Sequence, residues 1–143
     1  MMSNPEEEQK QTSVQSAEHN LDPYFKQGES LTILDLNKRR IGTKGAIAIS
    51  ENTTWTNLNT PNLTWNNIDA EGASALSKNS TWTNLNILNL KGNEIGPEGA
   101  IALSKNTTWT NLTTLGLGEN KIGAGEPVHS ATTPSGPTLA FSN

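Results

Sequence analysis

The chain is predicted to be a short α/β solenoid, with short parallel strands on its concave side and short helices on its convex side. Three observations predict it. A unit of 27 residues recurs in register, each unit holds a strand-like half and a helix-like half, and only 32% of the residues are hydrophobic. Leu31, Leu58, Leu85 and Leu112 open successive copies. The unit from Leu85 reads LNILNLKGNEIGPEGAIALSKNTTWTN, matching the unit from Leu58 at 18 of 27 positions and the unit from Leu31 at 17. Such a period marks a stack, because one unit cannot bury its own apolar face and needs neighbours on both sides. A thin apolar content suits that arrangement, since every unit stays close to solvent.

Residues 1–30 are read as an acidic, mostly disordered tail, too polar to bury enough surface to order themselves. Leu21, Tyr24 and Phe25 are the exception. A solenoid needs its open end covered, and these three are candidates for a cap on the first unit. The repeat domain spans 31–124, as 31–57, 58–84, 85–111 and a truncated 112–124. Its first half alternates apolar and polar residues, as in Leu34-Asp35-Leu36, Leu88-Asn89-Leu90 and Leu115-Gly116-Leu117, the pattern of a half-buried strand. The second half opens on Gly45-Ala46, Gly72-Ala73 or Gly99-Ala100 and continues to Ile49, Leu76 or Leu103. Apolar residues three apart after a glycine turn predict a helix of about two turns. Asn52, Asn79 and Asn106 are expected to stop it by taking the left-handed C-cap conformation. Beyond Gly125 the period dissolves into EPVHSATTPSGPTLAFSN, and 125–143 is read as a second disordered tail.

With strand, asparagine turn and helix in order, the unit resembles a leucine-rich repeat, whose signature is L-x-x-L-x-L-x-x-N-x-I/L. Leu85, Leu88, Leu90, Asn93 and Ile95 fit it, as do Leu112, Leu115, Leu117, Asn120 and Ile122. The stretch from Ile95 to Leu103 looks like the ribonuclease-inhibitor-type subclass, found also in Ran GTPase-activating proteins and the repeat regions of NOD-like receptors. Two departures stand out. Arg39 replaces the turn asparagine in the first unit, and Pro61 replaces the second strand leucine in the second. Proline there removes a backbone donor and a core side chain, so that rung of the sheet should be weak. The helical half looks about one turn shorter than the subclass implies, with Trp55, Trp82 and Trp109 supplying bulk in its place.

Composition narrows the chemistry. Residues 1–30 carry six acids against two bases and the remainder eight of each, so the formal charge of −4 belongs to the leading tail. A neutral repeat body offers no footprint for nucleic acid or an anionic membrane. Without cysteine there is no disulfide, thiolate chemistry or Cys-bearing metal site. No metal ligand set and no cofactor motif is seen, and His19 and His129 fall in the tails, so the chain reads as no enzyme. The N-terminus has no secretory pattern, and no run approaches the ~20 apolar residues of a membrane span. A cytoplasmic protein is expected over a secreted, glycosylated one. The N-x-S/T triplets at Asn52, Asn62, Asn79, Asn106 and Asn111 come mostly from the Asn/Thr-rich linker.

What remains is a surface. Asn66, Asn93 and Asn120 are expected to stack as a structural ladder through their amides, and Trp55, Trp82 and Trp109 as a second one. The side chains alternating with the buried leucines offer Asp35, Asn37, Asn62, Thr64, Asn89 and Lys91 to a protein partner. Trp65 stands where the other units have Lys38, Gly92 and Glu119, a place facing solvent, and is the candidate anchor. Lys38, Arg39 and Arg40 form a small basic cluster. The expected function is a non-enzymatic interaction module or scaffold. The alternatives are a regulatory or sensor fragment of a NOD-like-receptor-type or GTPase-activating-type protein, or a truncated gene product. Self-association through an uncapped last repeat is a further expectation.

Overall fold

The computed structural model of the chain describes residues 21–123. The tails at 1–20 and 124–143, with His19 and His129, lie outside the described residues. Four strands, β1 (Ile33–Asp35), β2 (Thr60–Asn62), β3 (Ile87–Asn89) and β4 (Thr114–Gly116), form one parallel sheet in chain order. Three helices alternate with them: α1 (Gly42–Ser50), α2 (Ala70–Ser77) and α3 (Gly96–Ser104). Each strand pairs with its counterpart one unit on, Ile33 with Thr60 and Ile87 with Thr114.

The core lies between sheet and helices. The leucines opening each unit and those alternating along the strands are buried, together with Ile41, Ile68 and Ile95 at the turns. α2 and α3 stack closely on the helix before them because each carries a glycine, Gly72 or Gly99, where it meets that neighbour. A methyl on Gly99 would stand 2.4 Å from Ile95 Cγ2 and 3.2 Å from both Ala70 Cα and Ala73 Cβ on α2. At α2 the Asp69 carboxylate accepts the Gly72 N–H at 2.9 Å, a side-chain N-cap. That bond, with help from the Thr43 side chain, holds the Asp69 carboxyl below the ordinary carboxylate range.

Two expectations are corrected here. Asn52, Asn79 and Asn106 do not take positive φ. The helices end at Ser50, Ser77 and Ser104, followed by right-handed Glu51, Lys78 and Lys105. Each asparagine instead closes a side-chain turn, its Oδ1 accepting two later N–H groups: Thr81 and Trp82 at 2.9 and 3.0 Å for Asn79, Thr108 and Trp109 at 2.8 and 2.9 Å for Asn106. An amide oxygen two or three residues upstream satisfies this turn without any left-handed residue. The second correction concerns residues 21–30, counted with a mostly disordered tail apart from Leu21, Tyr24 and Phe25 as a candidate cap. Residues 21–25 are helical and Gly28–Ser30 forms a 3₁₀ turn. Leu21 is fully buried, Phe25 stacks on Trp55 at 5.2 Å, and Trp55 Nε1 donates to the Tyr24 carbonyl at 3.0 Å. These apolar groups extend the ordered body to Leu21 by covering the first coil.

Pro61 is buried, so its ring fills the place of the missing leucine. The lost donor still tells. β2 and β3 share a single register pair, Asn62 with Asn89, where the neighbouring strand pairs share three each.

Candidate interaction surface

The turn asparagines tie each coil to the one before it. Asn93 Oδ1 accepts the Asn66 and Ile68 N–H groups at 2.9 and 3.0 Å, while its Nδ2 donates to the carbonyls of Leu63 and Leu90 at 3.0 and 2.8 Å. Asn66 does the same for Arg39, Ile41 and Leu36 of the first coil, and Asn120 for Ile95 and Leu90. All three are at most 3% exposed. Their amides replace water for backbone groups that the tight turn leaves unpaired. Because the bonds reach backwards, Arg39 needs no side-chain equivalent: its coil is served by Asn66.

Asn79 and Asn106 form a second rank, donating to the carbonyls of Ser50 and Ser77 one coil earlier at 2.9 and 2.7 Å. Asn57, Asn84 and Asn111 form a third, donating to Glu29, Thr56 and Thr83. Sequence reasoning missed both ranks, although their recurrence at the repeat period is the same signal that marked the first. Trp55, Trp82 and Trp109 are buried, with Trp82 and Trp109 stacked at 6.4 Å. Unlike Trp55, the buried Nε1 atoms of Trp82 and Trp109 meet no acceptor among the described residues.

On the outer face of the sheet the candidate contact residues form a hydrogen-bonded grid. Asp35 accepts the Asn37 N–H and the Asn62 amide at 3.2 Å each. Asn62 and Asn89 likewise accept the N–H groups of Thr64 and Lys91. Lys91 pairs with Glu119 at 3.3 Å. Asp35, Asn37 and Lys91 are exposed, and Asn62 and Asn89 are partly so. Thr64 is not available as a contact: it is 8% exposed, its hydroxyl lying 2.7 Å from Asn37 Oδ1 and 2.9 Å from Asn62 Oδ1. At β4 the grid closes, because the side chain of Asn89 occupies the space a Cβ on Gly116 would need. Beside these polar groups stand Ile33 and Ile87, both exposed. Lys38, Arg39 and Arg40 are exposed as well.

Trp65 sits at the rim of this face, 44% exposed. Its backbone is left-handed, φ 57°, as are Lys38, Gly92 and Glu119 at the same place in the other coils. The turn demands that conformation, which is costly for a bulky side chain. The indole lies flat against Gly92 of the next coil, where any Cβ would fall 2.4 Å from Trp65 Cδ2. Glycine at 92 is thus required by the ring above it, and its own φ of 72° favours it further.

A solvent-open groove of about 1100 Å³ runs along the edge leading into the strands, lined chiefly by Thr32, Ile33, Asn57, Asn59, Asn84 and Asn86. Most of its lining side chains carry an amide or a hydroxyl. Among the described residues, no group of three or more His, Cys, Asp and Glu is placed to hold a metal ion. No helix among them is long and apolar enough to cross a membrane.

Comparison with protein families matches the Leucine Rich repeat model at residues 29–50, 56–77 and 83–104. Each match runs from just before a coil's first leucine to its helix end. No curated protein matches the chain.

Proposed function

We propose, with the support of these three matches, that the chain is a leucine-rich repeat protein and a non-enzymatic interaction module which binds a protein partner through the outer sheet face and the rim at Trp65. Leucine-rich repeats generally mediate protein–protein interaction, and what distinguishes this surface is one residue. One face of the indole is seated on a glycine of the next coil, while 44% of the residue stays open to solvent at a place where the other coils carry lysine, glycine or glutamate. Tryptophan is also the residue most enriched among binding anchors, giving large contact area at small entropic cost.

Around it, Asp35, Asn37, Asn62, Asn89 and Lys91 present a fixed pattern of amide and carboxylate groups, already ordered by bonds to one another. A preordered rim loses little freedom on binding. The Ile-Gly-x-x-Gly-Ala-x-Ala-Leu stretch supports placing the repeats in the ribonuclease-inhibitor-type subclass. The acidic leading segment and neutral body support a cytoplasmic protein partner over nucleic acid or membrane.

The test is affinity capture from the native source with the wild-type chain and with Trp65→Ala, each quantified by mass spectrometry. A partner retained by the wild type should bind Trp65→Ala more than about fivefold less tightly, the loss of over 1 kcal/mol typical of an anchor. Equal capture by both proteins would remove Trp65 from the interface.

A further inference from the structure

Of the five N-x-S/T triplets, two fall on asparagines that the fold uses as internal struts. Asn79 is 4% exposed and Asn106 9%. Asn79 Nδ2 donates to the Ser50 and Asn52 carbonyls at 2.9 and 3.3 Å, committing both amide hydrogens to the preceding coil. Asn106 Nδ2 does the same for Ser77 and Asn79 at 2.7 and 3.4 Å. On the other side of each amide, Oδ1 is held by the two N–H groups of the following turn. Asn111 differs: it is exposed and its Nδ2 makes a single bond, to Thr83.

Attaching an N-linked glycan replaces one Nδ2–H bond by a bond from that nitrogen to a sugar C1; the amide gives up a proton and the sugar its pyrophosphate leaving group. At Asn79 or Asn106 the sugar ring would then stand where the previous coil's backbone stands. One strut bond would be lost and the coils forced apart. A glycan is bulky and belongs at a surface, so the modified asparagine and the stacked coils exclude one another.

We infer that this chain folds in a compartment that attaches no N-linked glycans, and that Asn79 and Asn106 are the two sites that bar it from a glycosylating one. The inference stands apart from the partner surface, since neither asparagine lies on it.

The test adds a cleavable secretory leader to the full chain in mammalian cells, beside a T81V/T108V version that destroys both triplets but keeps both asparagines. Production of each in the bacterial cytosol, followed by thermal melting, serves as the folding control. The wild type should be retained in the cells with glycans at Asn79 or Asn106 by site-resolved mass spectrometry. The T81V/T108V chain should be secreted several-fold better, and so should the wild type when glycan transfer is inhibited. Folded, secreted wild type carrying a glycan at either site would overturn the inference. So would folded, secreted wild type with both sites bare, or failure of both remedies to restore secretion.

Discussion

Replacing Gly92 with alanine should cost the fold about 3 kcal/mol, two thirds of it through Trp65. The backbone share follows from φ of 72°, a conformation costing an L-residue about 1 kcal/mol or somewhat more. The ring share follows from contact. The new methyl would lie 2.4, 2.6 and 2.7 Å from Cδ2, Cε3 and Cε2 of the indole, far inside the ~3.5 Å at which carbon atoms attract. The ring must leave its seat. Trp65 is 44% exposed, so somewhat over half of its surface is covered, on the order of 100 Å². Returning most of that to water costs about 2 kcal/mol at ~25 cal/mol per Å². A double-mutant cycle separates the shares: urea denaturation of the wild type, Gly92→Ala, Trp65→Ala and the double variant. In the Trp65→Ala background the alanine at 92 should cost only about 1 kcal/mol, a coupling of about 2 kcal/mol. Equal cost in both backgrounds would refute the idea that the ring and the glycine are one unit.

Three other outcomes are expected. Asn93→Ala should lower stability by about 3 kcal/mol, because it leaves the Asn66 and Ile68 N–H groups and the Leu63 carbonyl without their partner, each worth roughly 1 kcal/mol or more, while the Leu90 carbonyl keeps Asn120; a urea midpoint near wild type would contradict the ladder. Pro61→Leu should raise stability by about 1 kcal/mol by restoring a donor between β2 and β3, net of proline's restriction of the unfolded chain, and amide hydrogen exchange should slow in both strands; faster exchange would count against it. Asp69, whose carboxyl the Gly72 N–H holds below the ordinary carboxylate range in the folded chain, stabilises the fold above that range and loses this contribution as pH falls through the folded value. Asp69→Asn keeps an acceptor for Gly72 and should flatten the acid limb of the stability curve, whereas an unchanged limb would place the titrating group elsewhere.

The strands and helices were legible because both periods are strong: alternating leucines define one half of the coil and Gly-Ala defines the other. The Asn93 ladder was legible for the same reason, as one residue type at one place in successive units. Asn79 was misread because an asparagine after a helix serves equally well as a left-handed cap or as a side-chain turn. Only the neighbouring coil, whose Ser50 carbonyl needs a donor, decides between them. Thr64 was misassigned through parity. Alternation puts it on the outer face, but Asn37 and Asn62 fold over its hydroxyl. That Trp65 lies on Gly92 was beyond sequence reasoning, since the contact depends on how far a left-handed turn swings its side chain towards the next coil.

The backward reach of the ladder gives the molecule a grammar for change in length. Every asparagine is written by one coil and read by the coil before it, so excision or duplication of any whole 27-residue register leaves each sender facing a matching receiver. Among the described coils the first has none before it to serve, and it carries Arg39 at the place of the asparagine. Unequal recombination between neighbouring units of such a gene would therefore keep every asparagine junction matched, and the seat of Trp65 on Gly92 is the junction that has to be inherited as a pair.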